Sequence, residues 1–173
     1  MPYDRKQLIS RLDKLNLPKG KYVVLAGGAM LLHGEHLRKQ TNDIDVSVNP
    51  AVFRDLYDKR HALRAKHYHS GYLHPEKLVI KGVHGDIEIS GGGMSLIGRP
   101  PVAIEGHGVQ SLKDILDFKR KLNRQKDHAD IEILKAEIKR QAKLNPTSSY
   151  VKKDVQFDKR KTVRGGNFWT EDF

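Results

Sequence analysis

Residues 22–48 constrain the fold more than any other stretch of the chain. Residues 22–26 are apolar and rich in β-branched side chains, a composition typical of a strand covered on both faces. Gly27 and Gly28 follow directly and predict a turn that a phosphate can approach without Cβ interference. The apolar residues 29–32 then predict a short buried helix whose free N–H groups face that turn.

The stretch ends in an alternating run with two spaced carboxylates. On a strand, Asp43 and Asp45 lie on one face, whereas Ile44 and its apolar neighbours lie on the other. A rise of roughly 3.3 Å per residue places the two aspartate Cα atoms about 6 to 7 Å apart. Carboxylates at this spacing can converge on a hard cation, and oxygen-only ligands suit Mg²⁺.

A second alternating run, residues 83–89, supplies a third acidic group. Asp86 and Glu88 share one face of that predicted strand, and either of them can complete a site with the first two aspartates. A glycine turn for phosphates, two metal-binding carboxylates and a third carboxylate on another strand are typical of phosphoryl-transfer chemistry. Taken singly, each feature also has a plain structural explanation, such as a strand end or a solvated edge strand.

These residues resemble the signature of the nucleotidyltransferase superfamily. The resemblance rests on Gly27-Gly28, a basic residue and a threonine at Lys39 and Thr41, the Asp43-Ile44-Asp45 run, and Asp86. The superfamily includes DNA polymerase β, the aminoglycoside and lincosamide nucleotidyltransferases and AbiEii-type toxins. The chain is most similar to small stand-alone bacterial and phage members. The resemblance covers roughly residues 20 to 140. The family more often has arginine where Lys39 stands, unless Arg38 substitutes.

The resemblance implies an α/β fold, with a small mixed β-sheet flanked by helices, and a reaction. The implied reaction moves a nucleoside monophosphate from an NTP to an acceptor hydroxyl with Mg²⁺ as cofactor. The implied metal ligands are Asp43, Asp45 and Asp86, with Glu88 held in reserve for the third carboxylate. The residues implied to bind the nucleotide are Gly27, Gly28, Lys39, Thr41 and Lys119.

The charge of the chain indicates a polyanionic partner. The formal net charge is +11 over 173 residues, which favours RNA or another nucleic acid. One candidate surface follows the helix predicted after Asn49 and carries Arg60 and Arg64. A second lies on the final predicted helix and carries Lys135, Lys139 and Arg140. A solvated helix face is the plain alternative for either surface.

The remaining composition restricts the organisation of the chain. Cysteine is absent, so neither a disulfide framework nor a thiolate metal site exists. The sequence shows no signal pattern and no apolar run of membrane-spanning length, which predicts a cytoplasmic protein without a membrane partner. We expect a nucleotidyltransferase-like domain over residues 1–144 and a basic tail with scattered aromatic residues over 145–173.

The sequence does not identify the acceptor of the nucleoside monophosphate. A tRNA-like RNA acceptor fits the positive charge, whereas a small molecule such as an antibiotic needs no basic surface. A catalytically degenerate nucleic-acid-binding module with the same fold is the alternative from another class. An antitoxin partner and a homo-oligomer both remain open.

Overall fold

The computed structural model describes residues 2–69, 76–91 and 98–144. The tail predicted over residues 145–173 lies outside the described residues. The elements, in chain order, are α1 Arg5–Leu15, β1 Tyr22–Val24, α2 Ala26–His33, β2 Asp43–Val48, α3 Pro50–Asp58, β3 Ala65–Tyr68, β4 Lys77–Ile80, β5 Asp86–Gly91, β6 Val102–Ile104, β7 His107–Val109, α4 Leu112–Leu122, a 3-10 helix Gln125–Asp127, and α5 His128–Leu144.

The strands form a seven-stranded mixed sheet in the order β3-β4-β5-β2-β1-β7-β6. β2 runs parallel to β5, and β1 runs parallel to β7, while the other neighbouring strands pair antiparallel. α2 packs on β2, α3 packs on β5, and α4 contacts both α2 and α5. The predicted α/β class, a mixed sheet flanked by helices, is therefore confirmed.

The alternation predicted for β2 decides which face of the sheet is core. Ile44, Val46 and Val48 are fully buried, as are Ile87 and Ile89 on the neighbouring strand β5. The apolar side chains of α2 and the leucine stripe of α1 join the same cluster. Because side chains alternate along a strand, the acidic residues of both strands are left on the opposite face.

Side chains cap three of the helices. Asp4 accepts from the backbone N–H of Gln7, whose side chain accepts from the N–H of Asp4, and together they form a capping box. Asn49 caps α3 ahead of Pro50, and Ser111 caps α4. These local signals fix where three of the helices begin.

The junction between β1 and α2 differs from the prediction. The strand ends at Val24, and the helix begins at Ala26, so Gly27 and Gly28 lie in the first helical turn rather than in a turn before it. Ala26 makes the change of direction with a left-handed φ of 49°. Its N–H is held by the side-chain oxygen of Gln110 at 3.1 Å. A long-range hydrogen bond, which no local pattern reveals, thus fixes the junction.

A second difference concerns residues 65–68, which form the edge strand β3, a strand that was not predicted from the sequence. β3 pairs antiparallel with β4, and Ala65 lies opposite Ile80. No helix among the described residues is long and apolar enough to cross a membrane.

Candidate active site

The four candidate carboxylates lie side by side on two parallel strands. Asp43 is the register partner of Asp86, and Asp45 is the register partner of Glu88. Registered neighbours on adjacent strands share a face, so the pairing places all four on the face opposite the buried isoleucines. The structure therefore brings together every acidic residue that the sequence singled out.

The environment of Asp45 changes the pKa of its carboxyl group. Burial, and then the nearby carboxylates of Asp43 and Glu88, raise its pKa to about 7, against the smaller opposing influence of Lys77 and Arg124. Charged carboxylates crowded together favour protonation or a bound cation. The donor set, all oxygen and all anionic, therefore fits a hard divalent ion such as Mg²⁺.

Lysines contact the two acids of β5. Lys77 Nζ lies 2.7 Å from Glu88 Oε2, and Lys81 forms an ion pair with Asp86. The hydrogen bond from Lys81 to Asp86, followed by their charge attraction, raises the pKa of that exposed lysine. Each acid of β5 is thus paired with a lysine of the same β4–β5 hairpin. Lys77 lies within β4, and Lys81 lies in the turn after it.

A cleft of about 190 Å³ opens beside Asp45 and Glu88. One wall is the β1–α2 junction, with Leu25 and Ala26. The opposite wall is the C-terminal part of α4 and the residues after it, including Arg124. Asp45 is also fixed through its backbone, because its carbonyl accepts the N–H of Leu25 at 2.8 Å. The cleft consequently combines two carboxylates, a guanidinium and a helix N-terminus.

Both glycines of the motif are packed tightly within the first turn of α2. A Cβ on Gly27 would lie 2.9 Å from Thr41 Oγ1 and 3.4 Å from the guanidinium carbon of Arg38. A Cβ on Gly28 would lie 3.2 Å from a methyl group of Val24. Steric demand from the protein itself therefore explains both glycines, and a phosphate-binding role for them stays a prediction.

Thr41 connects this turn to the acidic strand. It is 2% exposed, and its hydroxyl donates to the carbonyl of Asp43 at 3.0 Å. Its backbone pairs with Tyr3 near the N-terminus. Thr41 therefore orients the first residue of the double-aspartate strand, whereas Lys39, two positions earlier, is exposed.

A chain of alternating charges runs behind the cleft. Arg38 donates to Asp130 at 2.8 Å, Asp130 also contacts Lys119 at 2.8 Å, and Lys119 contacts Asp127 at 2.7 Å. Asp127 in turn accepts from Arg124 at 2.5 Å. Burial alone would raise the pKa of Asp127, but the hydrogen bonds from Arg124 and Lys119 outweigh burial and lower it to about 2. The network joins the connector before β2 to α4, the 3-10 helix and α5.

Lys119, which the resemblance assigns to the nucleotide, is the centre of this network. Its side chain is 5% exposed and lies between two carboxylates. Arg124 extends from the same network to the cleft, and its side chain is 45% exposed. Arg124 was not predicted as a site residue, because in the sequence it is one more cation in a basic run and cannot be distinguished from its neighbours.

The residues predicted to bind nucleic acid lie on separate elements, and several have protein partners. Arg60 stacks over the ring of Tyr57 at 4.1 Å, and Arg64 is exposed. On α5, Lys135 pairs with Glu132, and Arg140 makes two bonds of 2.7 Å to Glu137, whereas Lys139 is exposed. These contacts leave nucleic-acid binding by either surface a prediction.

One further group of side chains has the composition of a metal site. Among the described residues, ligand atoms of His67, His69 and Glu76 lie within 4.8 Å of one another. The two imidazole rings are 4.8 Å apart and meet edge to face. This group lies at the sheet edge formed by β3 and the start of β4, away from the acids of β2, and the sequence analysis did not single it out.

No known family model matches the sequence, and no curated protein matches it. Two solved structures are similar in overall fold. One is ANT(2″)-Ia in complex with adenylyl-2″-tobramycin, with 13% identity, a TM-score of 0.49, and coverage of 80% of this chain and 90% of that chain. The other is an antigenic nucleotidyltransferase-like protein from Paracoccidioides brasiliensis, with 16% identity, a TM-score of 0.43, and coverage of 85% and 92%. Because both TM-scores are below 0.5, the function proposed next rests on the acidic site itself.

Proposed function

We propose that this chain is a Mg²⁺-dependent nucleotidyltransferase that moves a nucleoside monophosphate from an NTP to a hydroxyl of an RNA acceptor, tRNA-like in character. The observation that carries the proposal is the register of four carboxylates, Asp43 with Asp86 and Asp45 with Glu88, on one face of two parallel strands. The cleft beside these carboxylates, which Arg124 also lines, leaves space for a substrate next to them.

In this reaction the acceptor hydroxyl oxygen forms a bond to the α-phosphorus, and the bond from that phosphorus to the β-bridging oxygen breaks. Pyrophosphate leaves with that oxygen, and the hydroxyl proton passes to a carboxylate of β5, Asp86 or Glu88. Asp43, Asp45 and Asp86 would hold the metal. Bound Mg²⁺ would neutralise charge on the triphosphate.

The remaining residues bind and orient the nucleotide. Two cations line the cleft, Lys77 and Arg124. Arg124 is the better placed to contact the triphosphate, because its side chain is 45% exposed against 25% for Lys77 and is held from behind by Asp127. The first turn of α2, with Gly27 and Gly28, presents its backbone N–H groups toward the phosphate side. Lys119 contributes indirectly by fixing Arg124 through their shared carboxylate, and Lys39 adds exposed positive charge.

We place this activity in residues 1–144 and treat residues 145–173 as an appended basic tail. The likeness to AbiEii-type toxins, with the antitoxin partner it would imply, belongs to the same proposal. The positive charge of the chain supports an RNA acceptor over a small molecule.

The test is a transfer assay with α-labelled NTPs and Mg²⁺, with total tRNA, cell protein or a panel of aminoglycosides as acceptor. Asp45→Asn should abolish transfer, whereas Asp58→Asn, an exposed acid at the end of α3, should leave it unchanged. Asp86→Asn and Glu88→Gln are compared to identify the proton acceptor. The residue whose replacement causes the greater loss of kcat, at an unchanged KM for the nucleotide, is the acceptor.

Label in RNA that disappears in Asp45→Asn would support the enzyme and its acceptor together. Label only in the aminoglycosides would reject the RNA acceptor. The absence of label in every pool, with RNA binding retained, would reject the enzyme in favour of a non-catalytic nucleic-acid-binding module.

A further inference from the structure

A second and larger cavity, of about 910 Å³, lies between α1 and the turn that joins β4 to β5. Its cationic side chains are Lys6, Arg11 and Lys14 on α1 and Lys81 on the turn, and none of its described lining residues is acidic. The row from Lys6 to Lys14 is about 12 Å long at 1.5 Å per residue. We refer to this cavity as the α1 groove.

Two of the four cations of the α1 groove, Lys6 and Lys14, are available to a ligand. Lys6 and Lys14 are exposed, and neither has an ion pair among the described residues. The basic surfaces predicted from sequence differ in this respect, because Lys135 and Arg140 on α5 are already paired with glutamates. A free ammonium group neutralises a phosphate without first breaking a contact.

The floor of the groove offers more than charge. His84 has a buried Nδ1 atom without a hydrogen-bond partner, and its ring lies 5.6 Å from the ring of Tyr3. Val83 beside it is 87% exposed. The half-buried imidazole of His84, with exposed apolar surface beside it, suits an unstacked nucleobase, which needs a face to contact.

The groove adjoins the acidic site. Lys81, on its rim, forms the ion pair with Asp86, which is the register partner of Asp43. The Tyr3 hydroxyl donates to the carbonyl of Gly85 at 2.8 Å, directly before that aspartate. A strand lying along the α1 groove would therefore reach the carboxylates with one end.

We propose that the α1 groove binds the phosphodiester backbone of a single-stranded nucleic acid and directs its terminus toward Asp43 and Asp86. The ammonium and guanidinium groups of α1 contact successive phosphates, and His84 contacts a base. The role of the bound strand as the acceptor of transfer rests on the function proposed above. Binding of the strand by the groove is independent of that function.

The experiment measures binding by fluorescence anisotropy, with the full chain, a fluorescein-labelled unstructured 12-nucleotide RNA and a DNA of the same sequence, without NTP. The groove variant is Lys6→Gln/Arg11→Gln/Lys14→Gln. The matched control, Lys113→Gln/Arg120→Gln/Lys121→Gln, removes the same charge from exposed positions of α4. Lys6→Glu/Lys14→Glu, which keeps Arg11, tests the groove again should the triple variant unfold.

Three phosphate contacts to a single strand contribute about 2 to the slope of log K against log salt, which is on the order of a hundredfold in affinity at 0.1 M salt. We expect the groove variant to lose that much, with a slope lower by about 2, and the control to change by less than about threefold. Equal losses for RNA and DNA would support a backbone site without sugar recognition, and a greater loss for RNA would support contacts to its 2′-hydroxyl.

Unchanged affinity in both groove variants, or an equal loss in the α4 control, would overturn the proposal. The result is independent of catalysis, because binding is measured without NTP. If the groove variant loses binding and the unmodified protein transfers no NMP, the proposed reaction is rejected and the proposed groove is retained.

Discussion

The crowding of carboxylates around Asp45 makes the stability of the metal-free protein depend on pH. The folded pKa of Asp45 is about 7, raised from 3.8 by burial and by the carboxylates of Asp43 and Glu88. A carboxyl group whose pKa is raised on folding contributes stability below its unfolded pKa, and that contribution is lost as the pH rises through the folded pKa. The stability of the metal-free protein should therefore fall between about pH 4 and pH 7.

The magnitude follows from the difference between the two pKa values. About 3 pKa units at 1.36 kcal/mol each give about 4 kcal/mol as an upper limit. Asp45 is partly exposed, and water near a group lowers the cost of its charge, so we expect about 2 kcal/mol. Asp45→Asn cannot ionise and should be more stable than the unmodified protein at pH 8 by that amount.

The assay is urea unfolding at pH intervals from 4 to 9 in EDTA, comparing the unmodified protein, Asp45→Asn and the exposed control Asp58→Asn. The free energies of unfolding of the unmodified protein and Asp45→Asn should diverge as the pH rises, whereas the control should follow the unmodified protein. At pH 8, added Mg²⁺ should stabilise the unmodified protein by RT ln(1 + [Mg²⁺]/Kd), and should stabilise Asp45→Asn less.

Parallel curves for the unmodified protein and Asp45→Asn across the whole range would show that Asp45 is not electrostatically strained. Divergence without any Mg²⁺ effect would confirm the crowding and reject Mg²⁺ as the ion that relieves it.

Two further predictions concern the framework of the site. Lys119→Met should destabilise the fold by about 3 to 5 kcal/mol, because it leaves two carboxylates without the cation between them; the exposed control Lys121→Met should change the urea midpoint little, and equal midpoints would contradict the buried network. Gly85→Ala should lower the melting temperature far more than Gly20→Ala. Both positions have a positive φ, but a Cβ at Gly85 would lie 1.8 Å from a backbone carbonyl oxygen, whereas Gly20 has open space; similar losses would refute the steric argument.

The sequence predicts the parts of this molecule that local patterns determine. The alternation of residues 43–48 identifies a strand with its acids on one face, and Asp4, Asn49 and Ser111 are residue types that favour helix starts. The alternation correctly predicts that Glu88 shares a face with Asp86, but it cannot predict that Glu88 pairs with Asp45. That register depends on β2 and β5 being adjacent although α3, β3 and β4 lie between them in the chain.

What the sequence misses depends on contacts between distant residues. The β1–α2 junction is set by Gln110, 84 positions from Ala26. Lys119 and Arg124 are both cations in one basic run, yet one is buried between acids and the other lines the cleft. Composition cannot separate them, because the carboxylates that hold them become neighbours only when α4, the 3-10 helix and α5 pack together.

The charge network behind the cleft also affects when the site is completed during synthesis. Arg38 and Asp130 are 92 positions apart, so a nascent chain that has formed β2 and β5 has its carboxylates but not the scaffold that holds Arg124. The acidic face is thus complete earlier than the cationic wall that faces it. Nucleotide affinity should arise late in translation, once α5 has emerged from the ribosome and docked, and a chain released before that point would be inactive.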